Sequence, residues 1–174
     1  WPRLDVLILM GDLIDGTQGK TRSTGLYTSN LSEQAEIATA VLRGLVDKTK
    51  PGILYRVDGT PYHEDYHGAL KILDRDLGVS RTGQVLDIDL GSGILNVAHH
   101  PIGGATLYAG TQVDKESLWA TIAAASGHTP RARWIVRAHR HWYIEQHTAK
   151  CSVVQTPCWQ LPTPYAVKTN YWRF

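Results

Sequence analysis

The apolar run Val6 to Met10 stops at Gly11-Asp12, and a second stretch that reads as a buried strand, Ile53 to Val57, runs into Asp58-Gly59. Between them lie a Gly-, Ser- and Thr-rich stretch, Thr17 to Ser29, and a helical pattern with Leu31, Ala35, Ala38, Leu42 and Leu45 on one face. Asn30 reads as the N-cap, with Glu33 three residues on in a capping-box pattern. Pro51-Gly52 closes the helix. Strand, loop, helix, strand is a βαβ unit, so the two strands are expected to be parallel. Open α/β sheets carry their chemistry just past the carboxyl ends of such strands. Asp12 stands there, and Gly11 lets the backbone turn closely without crowding it. Taken alone, strand-Gly-Asp is also an ordinary turn.

Downstream, a helix is expected from about Asp65 to Leu77, closed by Gly78. Gln84 to Leu90 alternates in strand fashion, and Gly91-Ser92-Gly93 reverses the chain into Ile94 to Ala98, a hairpin. That second strand ends in His99-His100-Pro101. Ile102 to Thr111 reads as a loop. Asp114 then caps a helix through Leu118, Trp119, Ile122 and Ala123, ending at Ser126-Gly127. Trp134 to Val136 is a short strand running into Ala138-His139-Arg140-His141. Trp142 to His147 and Cys151 to Gln155 form a closing hairpin. The tail from Pro157, with three prolines, reads as an extended segment rather than a helix.

At 174 residues the chain suits a single domain, 1–174, able to bury roughly 70% of its unfolded surface. A formal charge of +2 argues neither for a nucleic-acid footprint nor for a membrane patch. Cys151 and Cys158 make neither a disulfide framework nor a zinc knuckle, which points to reduced thiols and a cytoplasmic protein. No apolar run reaches the roughly eighteen residues of a membrane span. The chain opens on Trp1-Pro2 without a Met, the expectation being an N-terminally incomplete domain.

Four expected strands therefore end in a metal ligand or acid/base group: Asp12, His63, His99, and the pair His139 and His141. A mixed imidazole and carboxylate set suits manganese, iron, zinc or nickel. A His-x-His on extended backbone points both imidazoles to one side. By the same alternation, one of His99 and His100 faces the site and the other turns away, with His99 the favoured ligand. Two ions roughly 3.5–4 Å apart suit phosphoester hydrolysis, with a nearby histidine to protonate the leaving oxygen.

The order Gly11-Asp12-x-x-Asp15, then a Gly-x-His-Glu-like segment ending in His63-Glu64, then His99-His100-Pro101 after a strand, then His139-Arg140-His141, resembles the calcineurin-like metallophosphoesterases. The resemblance spans about Leu4 to Tyr143. It implies a metallophosphoesterase-like α/β fold, a β-sandwich core flanked by helices, here missing its first strand. It implies a hydrolase of phosphomonoesters or phosphodiesters acting through a metal-bound hydroxide at a dinuclear centre. Asp12 would bridge the metals, His99 and His139 would bind the second metal, and His141 the first. His63 would be the general acid, and Asp15 would steady its loop from a second shell.

Two departures from the family pattern stand out. The family's Gly-Asn-His-Asp/Glu motif is replaced by Gly59-Thr60-Pro61-Tyr62-His63-Glu64, so Thr60 is the weak ligand candidate where asparagine is expected, and His63 is open to a ligand role. The family's opening Asp-x-His is absent before Asp12, leaving two ions in the complete protein and one here. This form looks like divergent, phage-type members. The partner is a phosphoester substrate, nucleotides and nucleic acid included, with no membrane; a homo-oligomer or an upstream segment would complete the first site. The rival readings are a nuclease of the same family and a catalytically impaired metal-binding or scaffold module.

Overall fold

The computed structural model describes residues 1–18, 25–64, 68–103 and 108–160. The protein is mixed α/β, with two β-sheets flanked by helices, and it divides into two compact units, Trp1–Gln84 and Val85–Phe174. The expected helix start at Asp65, His67, and the tail beyond residue 160 lie outside the described residues, as do parts of the loops expected at Thr17 to Ser29 and Ile102 to Thr111.

In the first unit, β1 (Val6–Leu9), α1 (Leu31–Thr49), β2 (Ile53–Val57), α2 (Ala69–Leu77) and β3 (Arg81–Gly83) form a three-stranded sheet in the order β1-β2-β3. Both pairs are parallel, with Val6 opposite Ile53 and Leu9 opposite Arg56. The expected βαβ unit is present. Asn30 caps α1, its Oδ1 accepting the Ser32 and Glu33 N–H groups at 3.0 and 3.4 Å. The capping box is not closed in return, because the Glu33 carboxylate accepts the Thr28 hydroxyl at 2.6 Å. Gly78 ends α2 at φ 75, a left-handed cap that favours glycine. Leu9, Ile14, Leu54, Leu70, Leu73 and Leu77 make the core, with Leu31, Ala38, Leu42 and Val46 of α1 packed on it. Each fully buried leucine contributes about 1.5–3 kcal/mol.

In the second unit, β4 (Val85–Asp89), β5 (Ile94–Ala98), α3 (Ala109–Ala125), β6 (Ala132–Arg137), β7 (Ile144–His147) and β8 (Ser152–Gln155) form a five-stranded sheet in the order β4-β5-β6-β8-β7. The hairpins β4/β5 and β7/β8 are antiparallel, whereas β5/β6 and β6/β8 are parallel. Val113 of α3 packs with Ala132, Ile135, Cys151 and Val153 of the sheet. Helix α3 starts earlier than expected, so Asp114 lies inside it and accepts a hydrogen bond from the Gln146 side chain instead of capping. Its buried face is mixed: Gln112 and Glu116 are buried along with Val113, while Leu118, Trp119 and Ile122 are 58%, 51% and 43% exposed. Among the described residues no helix is long and apolar enough to cross a membrane.

Candidate metal centre

Parallel pairing of β5 with β6 sets Ala98 opposite Arg137, and the ladder continues one step as the Ala138 N–H donates to the His99 carbonyl at 3.0 Å. Parallel neighbours end on the same edge of a sheet, so the histidines that follow each strand are brought side by side. His99, His100 and His139 each offer a ring nitrogen, and the three nitrogens lie within 4.8 Å of one another. Ring centroids are 5.0 Å apart for His99–His100, 5.3 Å for His99–His139 and 4.6 Å for His100–His139. His99 is buried, at 3% exposure, and the other two are exposed.

Two expectations fail here for one reason. The segment after β6 is not extended: His139 and His141 have φ of 70 and 64, in the left-handed region. The Arg140 N–H closes a three-residue turn onto the Ala138 carbonyl at 2.8 Å. Alternation therefore does not govern these side chains, and His141, though exposed nearby in sequence, is not one of the three clustered imidazoles. Likewise His100 follows the end of β5 and lies with His99 rather than turning away.

Positive φ at a non-glycine costs on the order of 1–3 kcal/mol and persists where the surroundings over-determine it. Here they do. The fully buried Gln155 side chain donates to the Ala138 carbonyl, and Thr156 donates its N–H and hydroxyl to the Arg137 carbonyl at 2.8 and 3.1 Å. Helix α3 holds the other segment: Glu116 accepts the Ile102 N–H, and the Gln112 side chain donates to the Ile102 carbonyl. Glu116 also pairs with Arg137 at 2.9 Å, and Arg137 reaches Asn96 Oδ1 at 2.7 Å. Burial lowers the Arg137 pKa, and the Glu116 carboxylate opposes that shift. The sequence signal for this clamp is two polar residues four apart, Gln112 and Glu116, which fall on one face of the helix.

Asp12, Asp15, Thr60 and His63 belong to the first unit. Asp12, at φ 51, follows Gly11 past β1. Its Oδ1 accepts the Thr60 N–H at 2.6 Å and the Thr60 hydroxyl at 3.0 Å. Gly59 permits this approach, since a methyl group there would overlap Asp12 Oδ1 and the Asp12 backbone nitrogen. His63 Nδ1 lies 3.0 Å from the Asp15 carbonyl oxygen, so Nδ1 carries the proton and donates it there, leaving Nε2 as the acceptor. Asp15 thus acts through its backbone, and the loop is pinned by buried Gln34, which accepts the Gly16 N–H at 2.8 Å and donates to the Gly16 carbonyl at 3.1 Å. Arg56, buried on β2, pairs with Asp74, Glu64 and Asp58 at 2.7, 3.1 and 3.2 Å. Burial alone would lower its pKa, but Asp74 and the other carboxylates outweigh that and raise it. Glu64, which also accepts the Gly59 N–H, has its pKa raised by burial against the opposing pull of Gly59 and Arg56.

Three imidazoles fit a divalent transition metal, for which histidine is the commonest nitrogen ligand. No protein-family model and no curated protein sequence matches the chain. Among solved structures, it is similar to a single mutant of Vps29 from Entamoeba histolytica, at 10% identity and TM-score 0.44, over 88% of this chain and 57% of that one. A conserved uncharacterized protein from Streptococcus pneumoniae, described as a predicted phosphoesterase, aligns at 12% identity and TM-score 0.45, over 87% of this chain and 71% of that one. A novel archaeal phosphodiesterase aligns at 9% identity and TM-score 0.42, over 87% and 82% of the two chains. The matched part thus spans less than two thirds of the Vps29 chain. At this distance no residue role passes from these proteins to this one.

Proposed function

We propose that the protein is a metal-dependent phosphoesterase. The observation that carries this reading is the placing of His99 and His139 side by side beyond the ends of the parallel strands β5 and β6, at the two positions where the sequence motifs call for ligands. Asp12 and His141 complete the proposed ligand set on the motif order, and two ions are the proposed complement of the whole protein. A divalent ion supplies Lewis acidity, polarising a phosphoryl oxygen and lowering the pKa of a coordinated water. His99 and His139 would hold such an ion from backbone segments fixed by Glu116 and Gln155. Thr60 orients the Asp12 carboxylate. His63, its tautomer set by the Asp15 carbonyl, takes and returns a proton at Nε2.

Hydrolysis of a generic aryl phosphodiester with added manganese tests this reading. Turnover that His139→Ala abolishes supports it, and metal uptake without turnover overturns it. One observation favours the rival reading of a catalytically impaired metal-binding module: Thr60 stands where the family has asparagine, and it bonds Asp12 with both its N–H and its hydroxyl. Stoichiometric metal without hydrolysis of either monoesters or diesters is the outcome that module requires.

A further inference from the structure

We propose that His100 is a metal ligand, and that His99, His100 and His139 form a three-imidazole site for one divalent transition-metal ion. The proposal rests on the reading of His99 and His139 as ligands given above. It adds a residue that the motif order leaves unassigned.

The three ring nitrogens already lie within 4.8 Å of one another. Zinc–nitrogen bonds of about 2.0–2.1 Å in a tetrahedral site set donor atoms roughly 3.3 Å apart. Small side-chain rotations close that gap. His100 and His139 are exposed, while His99 is buried.

The rings also do not stack. His99 meets His100 and His139 edge-on, with interplanar angles of 80° and 72°, and His100 lies tilted to His139 at 44°. Their backbone is held in advance: Glu116 and Gln112 grip both polar groups of Ile102, just past His100-Pro101, and Gln155 grips the carbonyl before His139. Ligands carried on such braced segments lose little entropy on binding an ion. Three imidazoles leave a fourth position open, the arrangement of catalytic rather than structural zinc sites.

The test uses the full chain, titrated with cobalt(II) and followed by visible absorption, with zinc affinity measured by calorimetry and imidazoles counted by X-ray absorption at the metal edge. One tight ion with three imidazoles is expected. His100→Ala and His100→Phe, the second keeping a ring but no donor nitrogen, should each weaken that ion by about tenfold or more, with unchanged circular dichroism. His128→Ala, at an exposed histidine outside the cluster, should leave its affinity within about threefold, below the tenfold scale of a ligand-network loss. Wild-type affinity in both His100 variants, or an equal loss of affinity in His128→Ala, overturns the proposal. The phosphoesterase reading fails separately: a three-imidazole ion without turnover sinks that reading alone, whereas turnover with undiminished affinity in His100→Ala sinks this one alone.

Discussion

Glu116 joins the two segments that carry the clustered imidazoles, its Oε2 lying 2.9 Å from Arg137 Nη2 while its Oε1 accepts the Ile102 N–H. Glu116 is fully buried and Arg137 nearly so, at 0% and 6% exposure. A pair this deep is weak evidence for net stability but costly to break, because the surviving charge has no water to turn to. Glu116→Gln is expected to lower unfolding free energy by about 3–5 kcal/mol, read from urea denaturation. The double variant Glu116→Leu/Arg137→Met, which removes both charges, should be more stable than Glu116→Gln. A single variant as stable as wild type would show that the clamp is not formed.

Two glycines should respond to alanine with opposite sign. At Gly59 a methyl group meets Asp12, and overpacking of that kind costs about 1–3 kcal/mol. At Gly44, inside α1, a methyl group meets nothing within 4 Å, and alanine should stabilise by about 0.5–1 kcal/mol. Melting temperatures of the two variants give the signs directly.

His63 is expected to act on the leaving group rather than as a ligand. His63→Ala should lower turnover by about 10²–10⁴-fold, and more for an alkyl than for an aryl leaving group, since the aryl oxygen departs without help. Metal content, measured on the same samples, should not change. Loss of metal in this variant would assign His63 as a ligand instead.

The Glu64 pKa, raised by burial, sets a pH dependence in the metal-free protein. The folded state binds this proton more tightly than the unfolded chain does, so the group favours folding below its unfolded pKa. That contribution is lost as pH rises through the raised folded value. Glu64→Gln, which cannot titrate, removes it. The stability of wild type relative to Glu64→Gln should therefore fall as pH is raised from 4 to 7, roughly the window above the ordinary glutamate value. Thermal unfolding in chelator measures it, and a flat or rising difference contradicts the burial of this carboxyl.

At the start of α1, Asn30→Ala removes the acceptor for the Ser32 and Glu33 N–H groups. The expected loss is about 1 kcal/mol. Asn30→Asp, which keeps the acceptor and adds a charge favourable to the helix N-terminus, should be neutral or stabilising in the same denaturation experiment.

Much of the fold was legible because it is written in short-range pattern. The apolar run at β1, the cap at Asn30, the stop at Pro51-Gly52 and the run at β2 spell a parallel pair, since a crossover helix is what joins parallel neighbours. The Gly91-Ser92-Gly93 reversal likewise makes β4 and β5 an antiparallel hairpin. The altered motif at Thr60 was legible too, but not its use: Thr60 grips Asp12 across 48 residues, and periodicity carries no information at that range.

By itself the sequence determined the elements other than β3, their order, and the histidines that stand just past strand ends. It did so because local periodicity and turn chemistry act between near neighbours. Only the tertiary structure decided which face α3 buries and that His100 joins His99 and His139. It also decided that His139 and His141 take left-handed backbone. Those outcomes depend on partners distant in the chain, as Glu116 with Arg137 and Gln155 with Ala138. A buried charge or carbonyl takes whatever partner the packed strands bring within reach.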